Sequence, residues 1–404
     1  MNVDAARTLT ELDELHELTG DPETGAWRVA WTPGWTRARE WLLERLEELP
    51  VSVERDEAGN LWALLRGASD RIVAVGSHLD SVPGGGRLDG ALGVLAGLAA
   101  LRAVAASGEP PPRTLALVDW ADEEGRFGRS LLGSAAAAGT IDPATARELT
   151  DADGGLLPEV LAEHGVELDQ MARAGAWLAR LDAYLELHIE QGPVLEERGD
   201  ALAAVTGTPG VERRRLRFTG PSGHAGTVPM ALRRDPLAAA ASTVLAVPGI
   251  ASRHGGVATV GAIHARPGIP TAIPATVELW LDQRHPDEGA LAAMVAEAVE
   301  AASAAAREHG VELAAERVWS IEPIPFDPAL VALAREAAGG GEPVGSGALH
   351  DASEVARAGV PTAMLFVQSL GGVSHAPDEA SRPEHLTAAV EALGRLVSQV
   401  LSAG

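Results

Sequence analysis

The sequence predicts an α/β protein in two parts: a large α/β domain with a mixed sheet, and a smaller ferredoxin-like (βαββαβ) unit inserted in it. Three observations carry this. Short apolar runs alternate with helical stretches in the first half of the chain and again near its end. The middle reads as strand, helix, strand, strand, helix, strand, the order of a ferredoxin-like unit. Ionisable residues gather just beyond the apolar runs, where open α/β sheets bind their ligands. A length of 404 residues suits two folding units.

The elements follow in order. Residues 34–49 carry Trp35, Ala38, Leu42, Leu46 and Leu49 at three- and four-residue steps, a helical period. Residues 51–55 and 60–65 read as strands around the turn Asp56-Glu57-Ala58-Gly59. An apolar strand at 72–75 ends at Gly76-Ser77-His78-Leu79-Asp80, and 91–106 is a helix. Strand 114–118 ends at Asp119-Trp120-Ala121-Asp122-Glu123-Glu124, strand 184–187 ends at His188, and strand 361–367 runs toward Ser374-His375. In the middle, 212–219 is a strand and 235–247 a helix. Strands at 256–266 and 276–284, an alanine-rich helix at 291–309 and a strand at 311–318 complete the unit. The expected domains are 1–212 plus 326–404 for the large one and 213–325 for the insert.

Composition narrows the function. Apolar residues make up 46% and charged residues 22%, ordinary for a chain with a sizeable core, and this excludes disordered, collagen-like and coiled-coil classes. Acidic residues number 57 against 32 basic ones, a net charge of −25. Such a chain repels phosphate backbones and anionic lipid, so neither nucleic acid nor membrane is an expected partner. There is no cysteine, which excludes disulfides, thiolate metal sites and a cysteine nucleophile. Any metal must be held by histidine and carboxylate. Residues 1–19 lack the basic-then-apolar pattern of a secretory signal, and the apolar stretches 91–101 and 237–247 are too short to cross a bilayer. The expectation is a cytoplasmic enzyme.

His78, Asp80, Asp89, Glu123, Glu124, His188 and His375 each follow a predicted strand or lie in the loop after it. Two histidines and a carboxylate make an open zinc site. Three histidines and two carboxylates can hold two ions if one carboxylate bridges and screens their repulsion. Singly, each residue has a plainer reading: a lone histidine as a packing residue, Glu123-Glu124 as a solvated face, Asp89-Gly90 as a turn. Spacing alone leaves both readings open.

Six motifs in order add a resemblance. The segment from Gly76-Ser77-His78-Leu79-Asp80 through Gly84-Gly85-Gly86-Arg87-Leu88-Asp89-Gly90 resembles the first metal motif of the M20 metallopeptidase and amidohydrolase family. It is similar in particular to the ureido-hydrolysing branch: N-carbamoyl-L-amino-acid hydrolases, allantoate amidohydrolases and β-ureidopropionases. Asp122-Glu123-Glu124-Gly125-Arg126-Phe127-Gly128 resembles the second motif and Glu186-Leu187-His188-Ile189-Glu190-Gln191-Gly192-Pro193 the third. His224-Ala225-Gly226-Thr227-Val228-Pro229-Met230, with Arg233-Arg234-Asp235-Pro236, resembles the motif of the lid domain. Ser346-Gly347-Ala348-Leu349-His350-Asp351-Ala352 and Gly372-Val373-Ser374-His375-Ala376-Pro377 resemble the last two.

The resemblance implies roles. His78, Asp89 and His188 would hold one divalent ion; Asp89, Glu124 and His375 the other, zinc first, with manganese, cobalt or nickel as alternatives. Asp80 would fix the imidazole of His78, and Glu123 would be the general base. Gln191, His224, Thr271, Arg284 and His350 match substrate-binding positions of the branch. The inserted unit would be a lid and dimerisation domain, with His224 reaching the partner's active site in a homodimer and stabilising an oxyanion there. Two positions depart from the pattern: Thr271 replaces the usual asparagine, and Leu349 stands where a small residue is usual. Both bear on substrate fit and leave the metal ligands in place. The expected reaction is hydrolysis of an N-carbamoyl-L-amino acid to L-amino acid, ammonia and carbon dioxide. Allantoate amidohydrolysis is the alternative, with an M20 aminoacylase or peptidase, or a non-catalytic metal- or ligand-binding relative, further off.

Overall fold

Four apolar runs become the parallel centre of a seven-stranded sheet in the computed structural model, which describes residues 1–403. The chain divides into two compact units. One is Met1–Gly207 together with the segment from Pro325 onward; the other is Thr208–Ile324.

In the larger unit the sheet order is Ser52–Arg55, Leu61–Leu65, Thr114–Trp120, Ile72–His78, Leu181–Ile189, Thr362–Val367 and Leu202–Val205. The four strands from Thr114–Trp120 to Thr362–Val367 are mutually parallel. The outer strands pair antiparallel, which makes the sheet mixed as expected. The parallel strands are buried on both faces, which is why they read as unbroken apolar runs with no alternation. Ala91–Ala105 and Pro383–Ser402 cover one face over a core of leucine, valine and alanine. The opposite core is aromatic, built on Trp31, Trp35, Trp62, Trp120, Tyr184 and Phe366.

The smaller unit is a four-stranded antiparallel sheet, in the order Val257–Arg266, Thr276–His285, Gly210–Thr219, Glu312–Ile321, with two helices. The chain order is the expected βαββαβ. Its helix Glu288–Glu308 is long and apolar enough to cross a membrane by length and composition alone. That length goes beyond the apolar stretches noted in the sequence. Its Leu291, Met294, Val295, Ala298, Ala302 and Ala305 are buried within the unit, so it is a core helix.

Several elements were not expected. The helix Ala5–Thr19 buries Thr8, Glu11 and Thr19 beside Leu12 and Leu15, so its inward face is half polar and its period is masked. Glu11 is held there by ion pairs to Arg7 and Arg102. Between Leu132 and Leu178 lie short helices of four to seven residues, too brief to show a period.

Candidate metal centre

Each parallel strand of the larger unit delivers a polar side chain at its carboxyl end. Ile72–His78 ends on His78, and Leu181–Ile189 carries His188 next to its end. Thr114–Trp120 leads into Asp122-Glu123-Glu124, and Thr362–Val367 leads into the loop that bears His375. The loop after His78 returns Asp89 into the same space. Gly90 closes that loop with a φ of +64°, and a Cβ there would stand 2.4 Å from the His78 ring. No other residue fits so close a turn.

The side chains converge on Asp89, which is buried. Its Oδ1 lies 3.1 Å from His188 Nε2 and 3.8 Å from His78 Nε2. Its Oδ2 lies 3.4 Å from His375 Nε2, which is in turn 3.3 Å from Glu124 Oε2. Two donor clusters result, His78 with Asp89 and His188, and Asp89 with Glu124 and His375. They share one carboxylate. A third cluster, Glu186 with His188 and His350, lies wholly buried beside the first.

The donor atoms suit cations. His78 Nδ1 meets the Asp80 carbonyl at 3.1 Å and His188 Nδ1 meets the Ile189 carbonyl at 2.9 Å. With Nδ1 as the donor, each ring turns the lone pair of Nε2 toward Asp89. His78 Nε2 and Glu124 Oε1 are buried without a hydrogen-bond partner, and His188 Nε2 faces the shared Asp89 carboxylate. Buried polar atoms without partners are costly unless a ligand satisfies them.

Charge leads to the same conclusion. Burial and the carboxylates of Glu124, Asp351, Asp80 and Asp89 push Glu123 well above the usual carboxylate range. Burial, then Asp89 and Asp80, do the same to Glu124. Burial pushes His78 down to about 3. For His188, burial also opposes the charge, but Asp89 at 3.1 Å overrides it and raises the group to about 9. A cation bound there displaces that proton and relieves the repulsion among the acids. Arg28, fully buried with Nε donating to the Leu79 carbonyl at 2.7 Å, already offsets part of it.

The remaining site residues fall in different places. Glu123 Oε2 stands 3.9 Å from His78 Nε2 and belongs to neither shared cluster. The Asp80 carboxylate is 3.6 Å from His78 Nδ1, beyond hydrogen-bond reach; it accepts the backbone N–H groups of Glu123 and Glu124 at 3.3 and 3.1 Å. The imidazole is fixed by the Asp80 carbonyl, while its carboxylate aims the two glutamates. Gln191 Nε2 donates to Asp89 Oδ2 at 2.9 Å and Ser374 Oγ at 3.1 Å. His350 is buried, 3.1 Å from Ser346 Oγ, with its ring centroid 4.4 Å from that of His188. In the smaller unit, His224 and Thr271 meet where Gly223–His224 pairs with Ala272–Ile273, and both are exposed. Arg284 sits near the end of Thr276–His285, its Nε on Asp282 at 2.8 Å.

Sequence reasoning missed Glu379. Its carboxylate accepts the backbone N–H groups of Leu88 and Asp89, each at 3.0 Å. Ser374 Oγ lies 3.2 Å from Asp89 Oδ2 and 3.4 Å from Glu379 Oε2, so Glu379 holds the shared carboxylate by two routes. Gly86 makes room for it, since a Cβ there would meet Glu379 Oε1 at 2.0 Å. Only a weak signal was available, because Glu379 follows Ser374-His375 by a few residues in the pair Asp378-Glu379, which reads as a solvated turn. Backbone strain marks the same place: Asp122, Gln191 and His375 have φ values of +57°, +59° and +57°.

Known proteins are similar to this chain along nearly its whole length. The family described as Peptidase family M20/M25/M40 matches residues 74–399. An N-carbamoyl-L-amino acid amidohydrolase of Geobacillus stearothermophilus is 38% identical over 98% of this chain and 99% of its own. An allantoate amidohydrolase of Bacillus subtilis is 32% identical over 96% and 95%. The crystal structure of a hydantoinase/carbamoylase family amidase from Burkholderia multivorans superposes with a TM-score of 0.89, at 34% identity over 99% of this chain and 98% of that one. The chain therefore belongs to the M20 peptidase family, in its hydantoinase/carbamoylase amidohydrolase branch.

Proposed function

We propose that the protein hydrolyses the carbamoyl C–N bond of N-carbamoyl-L-amino acids. Water adds to the carbamoyl carbon, the bond to the amino-acid nitrogen breaks, and the carbamate released falls to ammonia and carbon dioxide. The observation that carries this reading is the shared carboxylate: Asp89 faces His78 and His188 through Oδ1 and His375 through Oδ2, with Glu123 close by and outside both clusters. The substrate class is supported by the 38% identity to the N-carbamoyl-L-amino acid amidohydrolase.

His78, Asp89 and His188 would hold one divalent ion and Asp89, Glu124 and His375 the second, zinc first among ions that accept nitrogen and oxygen donors. When bound, the ions supply Lewis acidity toward water and toward the scissile carbonyl. Glu123 takes the proton of the attacking water and then returns it to the leaving nitrogen, a role that suits a buried carboxylate outside both clusters. Asp80 keeps Glu123 in place through the backbone. Gln191, on its left-handed backbone, presents its amide beside Asp89 and His375 and would orient the substrate. We assign substrate contacts to Thr271, Arg284 and His350 as well, and the oxyanion to His224 of the partner subunit in a homodimer. Arg284 offers a guanidinium for the substrate carboxylate.

Allantoate is the second reading, favoured by the 32% identity to an allantoate amidohydrolase. One panel separates them: ammonia release from N-carbamoyl-L-amino acids, N-carbamoyl-β-alanine and allantoate, and amino-acid release from N-acetyl-amino acids, with zinc or manganese added. Turnover of N-carbamoyl-L-amino acids above the rest is expected. Turnover of N-acetyl substrates alone would overturn the reading.

A further inference from the structure

A cavity of about 480 Å³ opens beside Glu124 in the larger unit, and nothing above gives it a role. We infer that it receives the side chain of the substrate amino acid and prefers apolar and aromatic side chains to acidic ones. The inference rests on the N-carbamoyl-amino-acid reading and names the part of the substrate that this region takes.

The volume falls in the ~300–1,000 Å³ range of small-molecule sites. One wall carries a single candidate metal ligand, Glu124, whose Oε2 lies 3.3 Å from His375 Nε2. A substrate whose carbamoyl group reacts there has this cavity next to it. Alongside the acids the lining carries the apolar residues Trp27, Val29, Ala30, Val82 and Pro83. Trp27 leaves 51% of its surface exposed, more than the other exposed tryptophans, Trp280 and Trp319. Its indole N–H is already committed, to Thr24 Oγ1 at 3.3 Å, so what it offers a ligand is its ring face.

Charge sets the second half of the preference. Arg126 is the one basic residue on the lining, and four of its five N–H donors are taken. Nε and Nη2 bond Asp151 at 3.1 and 2.8 Å, and Nη1 bonds the carbonyls of Ala30 and Trp31 at 3.1 and 2.9 Å. Asp153 stands on the same lining. A side-chain carboxylate entering here meets negative charge and a guanidinium already paired with Asp151. The same Arg126 bonds tie residues 30–31 to Asp151, so the cavity is formed before substrate arrives and little ordering cost falls on binding.

The test compares kcat/KM of the metal-loaded enzyme for N-carbamoyl-L-tryptophan, -L-leucine, -L-aspartate and -glycine. Wild type should favour tryptophan and leucine over glycine, with aspartate last. Trp27→Ala should lower the tryptophan-to-glycine ratio by roughly tenfold or more, the scale of lost apolar contact in a specificity pocket. Trp27→Phe should restore most of it. Ala152, an exposed residue of the lining, gives an independent variant: Ala152→Trp fills the cavity and should lower both the tryptophan and the leucine ratios. Ratios that stay at wild-type values in Trp27→Ala and Ala152→Trp would overturn the subsite while leaving the reaction class standing. If wild type hydrolyses none of the four, the N-carbamoyl reading fails and the subsite with it.

Discussion

A single carboxylate decides most of the chemistry at the residue scale. Asp89 is the one side chain common to both shared clusters, and its removal leaves two histidines on one side and Glu124 with His375 on the other. Asp89→Ala should therefore lose at least one ion per chain together with activity; full metal content by elemental analysis in that variant would sink the bridging role. Glu123 gives the complementary test, because it stands outside both clusters. Glu123→Gln keeps the shape and removes the proton acceptor, so metal content should hold while kcat falls by ~10²–10⁴-fold. A fall of less than tenfold moves the base to another residue.

The loop between His78 and Gly90 is the element on which the site depends, and other elements hold it. Glu379 grips its far end through the Leu88 and Asp89 backbone. Asp119 grips its near end, with Oδ1 accepting Leu79 N–H at 2.8 Å, and Arg39 pairs with Asp119 Oδ2 at 2.6 Å. Arg39 and Asp119 are both buried, so removing the arginine leaves a carboxylate in the core with no counter-charge. Arg39→Met should cost about 3–5 kcal/mol in denaturant unfolding, as breaking a buried pair typically does; a loss under ~1 kcal/mol would show that Asp119 is satisfied otherwise. Glu379→Ala should loosen Asp89 without removing any ligand. Metal affinity, read by chelator competition, should drop by ~10–100-fold, the scale seen when a residue supporting a metal ligand is removed. Unchanged affinity would mean that the loop holds its shape without Glu379.

The whole molecule carries net charge −25, and part of that charge is buried around the metal centre. Cations that bind the native fold and not the unfolded chain stabilise it by mass action, about 2.7 kcal/mol at a hundredfold excess over Kd. Chelation should lower Tm, and adding zinc back should restore it; a Tm that ignores both would remove the ions from the stability of the fold. The proposed homodimer gives a second test at this scale. His224→Ala and Glu123→Gln should each be nearly inactive alone. If His224 acts in trans, a mixed dimer has one complete site. Random exchange should then recover roughly a quarter of wild-type activity, because half the dimers carry one good site of two. Confirmed exchange without recovered activity would rule out the trans role.

What the sequence determined by itself was local. Apolar runs of four to seven residues bounded by turn residues mark the parallel strands, because a strand buried on both faces needs no alternation. The types of residue at their ends, histidine and carboxylate without cysteine, already limited the chemistry, and the motif resemblance assigned them to two ions. The helix Ala5–Thr19 stayed hidden because its inward face is half polar, with Glu11 paired to Arg7 within the helix and to Arg102 far along the chain. Tertiary structure alone decided which oxygen of Asp89 faces which histidine, and that the Asp80 carboxylate aims the glutamates while its carbonyl fixes His78. It also decided that Glu379, 290 residues further along, holds Asp89. The reason is physical: strand and helix periods follow from neighbours in sequence, whereas hydrogen bonds between distant loops exist only after the sheet has brought its strand ends together.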